Sequence, residues 1–574
     1  MFNYKRRKTT NFEAGNIKIG ENFPIRVQTM ANTDTNDIDA SVKQAEICIE
    51  NGTELLRYTT QGKKEAENLG RIKTILKEKG LDTPIVADIH FNPSVAEVAA
   101  KLVDKIRINP GNFVSSKDGD YTEAEWTDEL ERIKAKLFPL LEVCKEHKIA
   151  IRIGVNHGSL SSRIINRYGN TPEGLAASCM EFIALCEEDE FTNLILSIKA
   201  SNTRVMIQAV RLLVAEMEKS NRHYPLHLGV TEAGSDDEGR IKSAVGIGTL
   251  LSQGIGDTIR VSLSEKPEAE LPVAKKLVDY VSSRANHEKI SGECAPYFSW
   301  YKYQRRKTTS INNIGGDNAP IVVSSEQINT TPLPDYYIGN LPAYITLDCE
   351  NITKSSIEEI KESQDKDKVI LLTTKHQNPV GSISAAIHHL TIERVENPVV
   401  VKREYHETDI ETFQIKAAAD LGPLLIDGLI DGIYLTNSSE KIDKIDKIDK
   451  VNKTDKIDKT IINETAFEIL QSSRARISTT EYISCPSCGR TKFDLPSVVR
   501  EVKKATKGYV GLKIAIMGCI VNGPGEMADA DFGYIGAGMG KVSLYKGNIC
   551  IEKNIPENEA IDALINLINK YKVQ

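Results

Sequence analysis

Between residues 23 and 263 the chain repeats one pattern eight times: a short β-rich run, then a longer segment with apolar residues at helical spacing. The runs are FPIRVQTM (23–30), TELLRYTT (53–60), PIVADIHF (84–91), DKIRINPGN (104–112), IAIRIGVNHG (149–158), NLILSIKASN (193–202), YPLHLGVTEAG (224–234) and DTIRVSL (257–263). Segments such as DIDASVKQAEICIENG and SVAEVAAKLVDK separate them. Each helix returns the chain to the same edge, so successive strands run parallel, and eight such units close into a (β/α)8 barrel. The expected fold is therefore α/β, with an N-terminal TIM barrel over residues 1–285.

In such a barrel the reactive face is the rim at the carboxyl ends of the strands. Polar side chains gather there: Arg57, Asp88, Arg107, Asn112, Arg152, Asn156, His157, Lys199, Glu232, Arg260 and Ser262. Four arginines and one lysine from five strands repel one another unless an anion fills the mouth. Arginine grips phosphate oxygens bidentately and lysine acts as a point charge. Arg57, Arg152 and Lys199 thus predict a small substrate carrying more than one phosphoryl group. In TEAGSDDEGRIKSAVGIG, the small residues Ser243, Ala244, Gly246 and Gly248 predict a helix start whose N–H groups face that anion. A carboxylate beside an anion site is costly unless it carries a proton, which makes Glu232 a candidate general acid.

The opening YKRRKTT (4–10) returns as YQRRKTT (303–309), and IKIGENFPIRVQTM is echoed loosely by NIGGDNAPIVVSSE. The strand-like runs AYITLDC, KVILLTT, PVVVKREY and DGIYLTN follow, with helical segments between them. Residues 286–465 predict an inserted, barrel-like second α/β domain, read as a spacer because it lacks a matching set of strand-end arginines. Within it, KIDKIDKIDKVNKTDKIDKT (441–460) has a three-residue period that drifts around a helix and makes no apolar face, which predicts a solvated loop. The net charge is −7 over 574 residues and no long basic run occurs, so nucleic acid is not an expected partner. No stretch has the apolar length of a membrane span, and the expected location is the cytoplasm.

Six of the ten cysteines (Cys48, Cys144, Cys179, Cys186, Cys294 and Cys349) lie in apolar or helical contexts and read as small core residues. The other four, Cys485, Cys488, Cys519 and Cys550, crowd the last ninety residues, a small α/β domain placed at 466–574. SCPSCGRTK has the spacing of a metal knuckle, and Cys519 follows the strand-like LKIAIMG. A structural zinc needs a fourth nitrogen or sulfur, yet no histidine follows His406 and only Cys550 remains. In GCIVNGPGE the glycines and proline let the chain fold back and aim Glu526 at the same centre. Three thiolates and one exchangeable oxygen suit a [4Fe–4S] cluster with an open iron better than a permanent zinc.

SCPSCGRTKFD, GCIVNGPGE, SIKASN and VTEAGSDDEGRIKSAVGIGTLLSQGIGDTIRVSL resemble the motifs of the 4-hydroxy-3-methylbut-2-enyl diphosphate synthase family, in its large, three-domain form. The resemblance covers roughly 1–285 and 466–574. It implies a substrate, 2-C-methylerythritol 2,4-cyclodiphosphate, held by Arg57, Arg107, Arg152, Lys199, Arg260 and Ser262, with Asn112, Asn156 and His157 assisting. It also implies a [4Fe–4S] cluster on Cys485, Cys488, Cys519 and Glu526, flavodoxin or ferredoxin as electron donor, and Glu232 as the group that protonates the departing C3 oxygen. In the two-domain form of that family the cluster domain of one subunit covers the barrel of its dimer partner. The spacer here would let one chain cover its own barrel, and a homodimer is the other arrangement.

Overall fold

The computed structural model describes residues 2–89, 92–117, 119–362, 367–438, 457–486, 491, 493–520, 525, 527 and 529–572. Its contacts divide the chain into two compact units. One comprises 1–5, 240–254 and 276–478; the other comprises 6–239, 255–275 and 479–574.

The second unit contains the first eight-stranded parallel sheet: β1 (Arg26–Met30), β2 (Leu55–Thr59), β3 (Ile85–Asp88), β4 (Lys105–Ile108), β5 (Ala150–Asn156), β6 (Leu194–Lys199), β7 (His227–Leu228) and β8 (Thr258–Ile259). The hydrogen-bonded order β6-β5-β4-β3-β2-β1-β8-β7 is that of a barrel, and the bridge Leu196–Leu226 joins its ends into a nearly closed ring. Strands buried on both faces carry near-continuous apolar runs, which is why β2 to β6 read as strands despite weak alternation. A hairpin at Phe12–Ala14 and Ile17–Ile19 closes the amino-terminal end, where Phe12, Ala14 and Ile19 pack with Leu55, Val86, Ala150 and Ile195.

The same unit holds a five-stranded sheet of β15 (Glu481–Ser484), β16 (Lys513–Met517), β17 (Phe532–Gly538), β18 (Lys541–Lys546) and β19 (Ile549–Pro556), in that order. The first three run parallel and the last two pairings are antiparallel. Val498 and Val499 of the helix Leu495–Thr506 and Leu564 of the helix Glu557–Lys572 pack with Ile514 and Tyr534 in its core.

The other unit carries a six-stranded parallel sheet: β9 (Ile321–Ser324), β10 (Tyr336–Tyr337), β11 (Tyr344–Asp348), β12 (Val369–Thr373), β13 (Val399–Tyr405) and β14 (Gly432–Asn437). Its order, β10-β9-β14-β13-β12-β11, again sets the first strand beside the last, as β1 lies beside β8 in the first sheet. The repeated RRKTT makes the same contacts in both units. Arg6 pairs with Asp257 at 2.8 Å and Arg305 with Asp431 at 2.7 Å, each aspartate standing just before a strand, β8 or β14. Thr9 donates to Asp257 at 3.1 Å as Thr308 donates to Asp431 at 3.3 Å. The second arginine of each copy donates to backbone carbonyls, Arg7 to Tyr224 and Arg306 to Asn397. The helix Lys459–Ser472 packs in this unit on Ile410–Ile426 and β14, so the division falls after Ser478, beyond the expected boundary at 465. Most of the three-residue repeat, residues 439–456, lies outside the described residues.

Candidate active site

The register Asp88↔Arg107 and Arg107↔Arg152 sets three charged side chains side by side on β3, β4 and β5. Asp88, 1% exposed, receives Arg57 at 2.7 Å and Arg107 at 3.2 Å. Arg107 also donates to the Gly154 carbonyl at 2.8 Å and to Asn156 Oδ1 at 3.4 Å. Just past β8, Arg260 forks onto Glu270, Nε at 3.1 Å and Nη2 at 2.9 Å, and the Thr29 hydroxyl donates to the same carboxylate at 2.6 Å. The mutual repulsion expected among five cations is thus only partly corrected: Asp88 bridges Arg57 and Arg107 and Glu270 pairs with Arg260, so two carboxylates offset two of the five positive charges. Burial still lowers the Arg57 pKa to about 10. Deleting the Asp88 charge would strand two buried guanidiniums, a loss on the order of 3–5 kcal/mol.

Arg152 and Lys199 have no such carboxylate among the described residues. Arg152 is 1% exposed, with one 3.4 Å contact to the Ser197 hydroxyl and a buried Nε that meets no acceptor. Lys199, 5% exposed, makes no hydrogen bond or ion pair among the described residues. Gly229 gives it room, because a Cβ there would lie 2.8 Å from Lys199 Nζ. Burial holds both cations well below their ordinary pKa, and the positive neighbours, led by Arg57 for Arg152 and by Arg152 for Lys199, push the same way. A negative ligand would relieve this potential.

The remaining expected residues differ in burial and in partners. Asn156 and Ser262 are buried, and Asn112 is half-buried in the turn Pro110–Asn112. His157 Nε2 lies 3.3 Å from the Asn170 carbonyl. Asn202, at the end of the SIKASN run, caps the helix Thr203–Lys219 by accepting from the N–H groups of Arg204 and Val205. Ser243 to Gly248 lie well inside the helix Asp236–Ser252, which corrects the expected helix start. The smallness serves packing there, since a Cβ on Gly248 would come within 3.3 Å of Ala419. Sequence reasoning missed Glu270, ten residues past Arg260 among several similar glutamates.

The cysteine-bearing sheet meets the barrel rim within the same unit. Ala233, just after Glu232, forms a parallel bridge with Ser484, just before Cys485. Ser264 Oγ lies 2.8 Å from Ser484 Oγ and donates to the Cys485 carbonyl at 2.9 Å, and Lys503 pairs with Glu238 at 2.6 Å. Gly525 comes so near the Gly158 carbonyl that a Cβ would sit 1.9 Å from its oxygen. Glu232 itself is buried with a left-handed φ of 48°, uncommon for a residue with a side chain.

Cys485 and Cys519 leave adjacent parallel strands, β15 and β16, paired through Ser484 and Ile516. The Gly518 N–H donates to Cys485 Sγ at 3.3 Å, the kind of contact that stabilises a cluster thiolate, so these two turns fit an iron–sulfur site. Cys550 stands on β19, beyond β17 and β18, paired opposite Tyr545. Cys488 and Glu526 lie outside the described residues, and among the described residues no three metal-ligating side chains gather.

Residues 9–275 match the GcpE TIM-barrel domain and residues 481–570 the GcpE protein C-terminal domain. The 4-hydroxy-3-methylbut-2-en-1-yl diphosphate synthase (flavodoxin) of Parabacteroides distasonis is 48% identical, over 99% of this chain and 98% of its own. The chain belongs to the GcpE family. A GcpE relative of the same description from Porphyromonas gingivalis is 45% identical over 99% of this chain and 98% of its own. That of Leptospira interrogans is 37% identical, over 99% and 97%. The barrel and the cysteine sheet of this GcpE protein are thus both family domains. No helix among the described residues is long and apolar enough to cross a membrane.

Proposed function

We propose that the chain catalyses reductive ring opening and dehydration of 2-C-methyl-D-erythritol 2,4-cyclodiphosphate to 4-hydroxy-3-methylbut-2-enyl diphosphate, a step of isoprenoid precursor synthesis, with flavodoxin or ferredoxin as electron donor. The observation that carries this reading is the pair Arg152 and Lys199, buried cations without a carboxylate among the described residues, at a mouth whose rim meets the Cys485 turn. Arg152 and Lys199 take the diphosphate oxygens, while Arg57, Arg107 and Arg260, held in place by Asp88 and Glu270, present their remaining donors. Ser262, Asn112, Asn156 and His157 complete the cradle.

Cys485, Cys488, Cys519 and Glu526 would hold a [4Fe–4S] cluster, which supplies single electrons and a Lewis-acidic iron when bound. Two electrons enter, the ring C–O bond to the diphosphate breaks, and the C3 oxygen leaves as water with a proton from Glu232. The bridge between Ala233 and Ser484 supports this role, because it joins the residue after the buried Glu232 to the residue before Cys485. The middle sheet reads as a duplicated barrel without a site. Its strand-end Arg403 pairs with the buried Asp420 at 3.0 Å, which Arg284 and the hydroxyls of Tyr280 and Tyr405 also engage, so this arginine is tied to a carboxylate where Arg152 and Lys199 are not.

Anaerobic purification followed by iron and sulfide analysis, absorption spectroscopy and turnover with reduced flavodoxin tests the proposal. We expect roughly four irons and four sulfides per chain and formation of the linear diphosphate. Stoichiometric zinc in a colourless, air-stable protein would contradict it.

A further inference from the structure

Beneath the mouth lies a second set of buried polar groups that the reaction described above leaves unused. Lys105, on β4 two residues before Arg107, is 0% exposed and in register with the apolar Val86 and Ala150 of the barrel floor. Its Nζ donates to Gln28 Oε1 at 3.1 Å, and no carboxylate lies within ion-pair reach among the described residues. Gln28 Nε2 is buried and finds no acceptor. His227 on β7 is also fully buried, with Nδ1 2.7 Å from the Thr258 hydroxyl and Nε2 without a partner among the described residues. A functionless interior would fill this level with apolar side chains, since a buried amine without a counter-ion costs stability.

We propose that Lys105 is a positioning residue of the anion site: buried on β4 below Arg107 with only Gln28 to bond among the described residues, it takes a proton from solvent when a diphosphate settles on Arg152 and Lys199. The inference rests on the reading of the mouth given above. Burial is the main force against charge on Lys105, and Arg152 on β5 and Arg57 on β2 add to it. Burial is also the main force against charge on His227, with Arg152 and Lys199 adding to it. Of the carboxylates nearby, Asp88 on β3 is held by Arg57 and Arg107, and Glu270 by Arg260 just past β8. A ligand carrying several negative charges reverses the field at Lys105, and the ammonium it gains then draws the diphosphate deeper.

The test uses the full chain and inorganic pyrophosphate. Calorimetric titration in buffers of different ionisation enthalpy should show the wild type taking up close to one proton more than Lys105→Met, and the variant binding at least ~10-fold more weakly. The ligand-free variant should melt higher, by at least ~2 °C, because a buried unpaired amine has been removed. Lys105→Gln, which keeps a polar group beside Gln28, should lose the proton uptake as well. Equal proton uptake in wild type and both variants, or unchanged affinity, would overturn the proposal. Failure of the wild type to bind pyrophosphate would instead remove the mouth as a diphosphate site, and this inference with it.

Discussion

Replacing Cys519 by Ser should abolish both the visible absorption of the anaerobically purified protein and its turnover, whereas Cys550→Ala should leave both intact. The asymmetry follows from the sheet. Cys519 continues from β16, whose neighbour β15 delivers Cys485, and the Gly518 N–H already reaches the Cys485 sulfur. Cys550 belongs to β19, separated from β16 by two strands. Its Sγ lies 3.6 Å from the Glu552 carbonyl of its own strand. Glu526→Ala should likewise impair the cluster, through the Gly-Pro return that follows Cys519. Iron analysis beside circular dichroism separates loss of the metal from loss of the fold. A Cys550→Ala protein without iron, or a Cys519→Ser protein with a full complement, would redirect the ligand set.

The second large effect belongs to Glu232. Glu232→Gln keeps the size and removes the acid, so turnover should fall by at least ~100-fold, the usual contribution of a positioned proton donor. Pyrophosphate affinity should change little, because the proposed anion ligands are Arg152 and Lys199. The left-handed φ of 48° supports a functional reason for the position, and the adjoining Ala233–Ser484 bridge fixes the residue between the substrate mouth and the cysteine turn. Near-normal turnover in the Gln variant would remove Glu232 from the reaction.

The barrel was legible because its signal is periodic: each strand announces itself by β-branched residues and each helix by spacing, and the structure places all eight runs in one ring. The cations were legible for the same reason, since strand ends can be counted from the runs. Their partners were not. Glu270 reaches Arg260 only through the turn into the helix Pro267–Ser282, and nothing local separates it from Glu268 or Glu265. Lys105 shares a strand face with Arg107 but opens the strand two residues earlier, so a search of carboxyl strand ends does not reach it. The echo of RRKTT, by contrast, was visible as letters, and only the structure gives it a purpose, an arginine and a threonine on the aspartate that precedes a strand.

The central claim is that one chain brings its own cysteine turns to its own barrel mouth, as the Ser264–Ser484 contact and the Gly525–Gly158 approach indicate. Mixing a Cys519→Ser chain with a Glu232→Gln chain, under conditions that allow any subunits to exchange, tests it directly. Closure within each chain predicts no turnover in the mixture, since every site then carries one defect. Recovery of turnover, up to about half of the sites in each mixed two-fold dimer, would contradict the claim and show that the cysteine domain serves a partner's barrel.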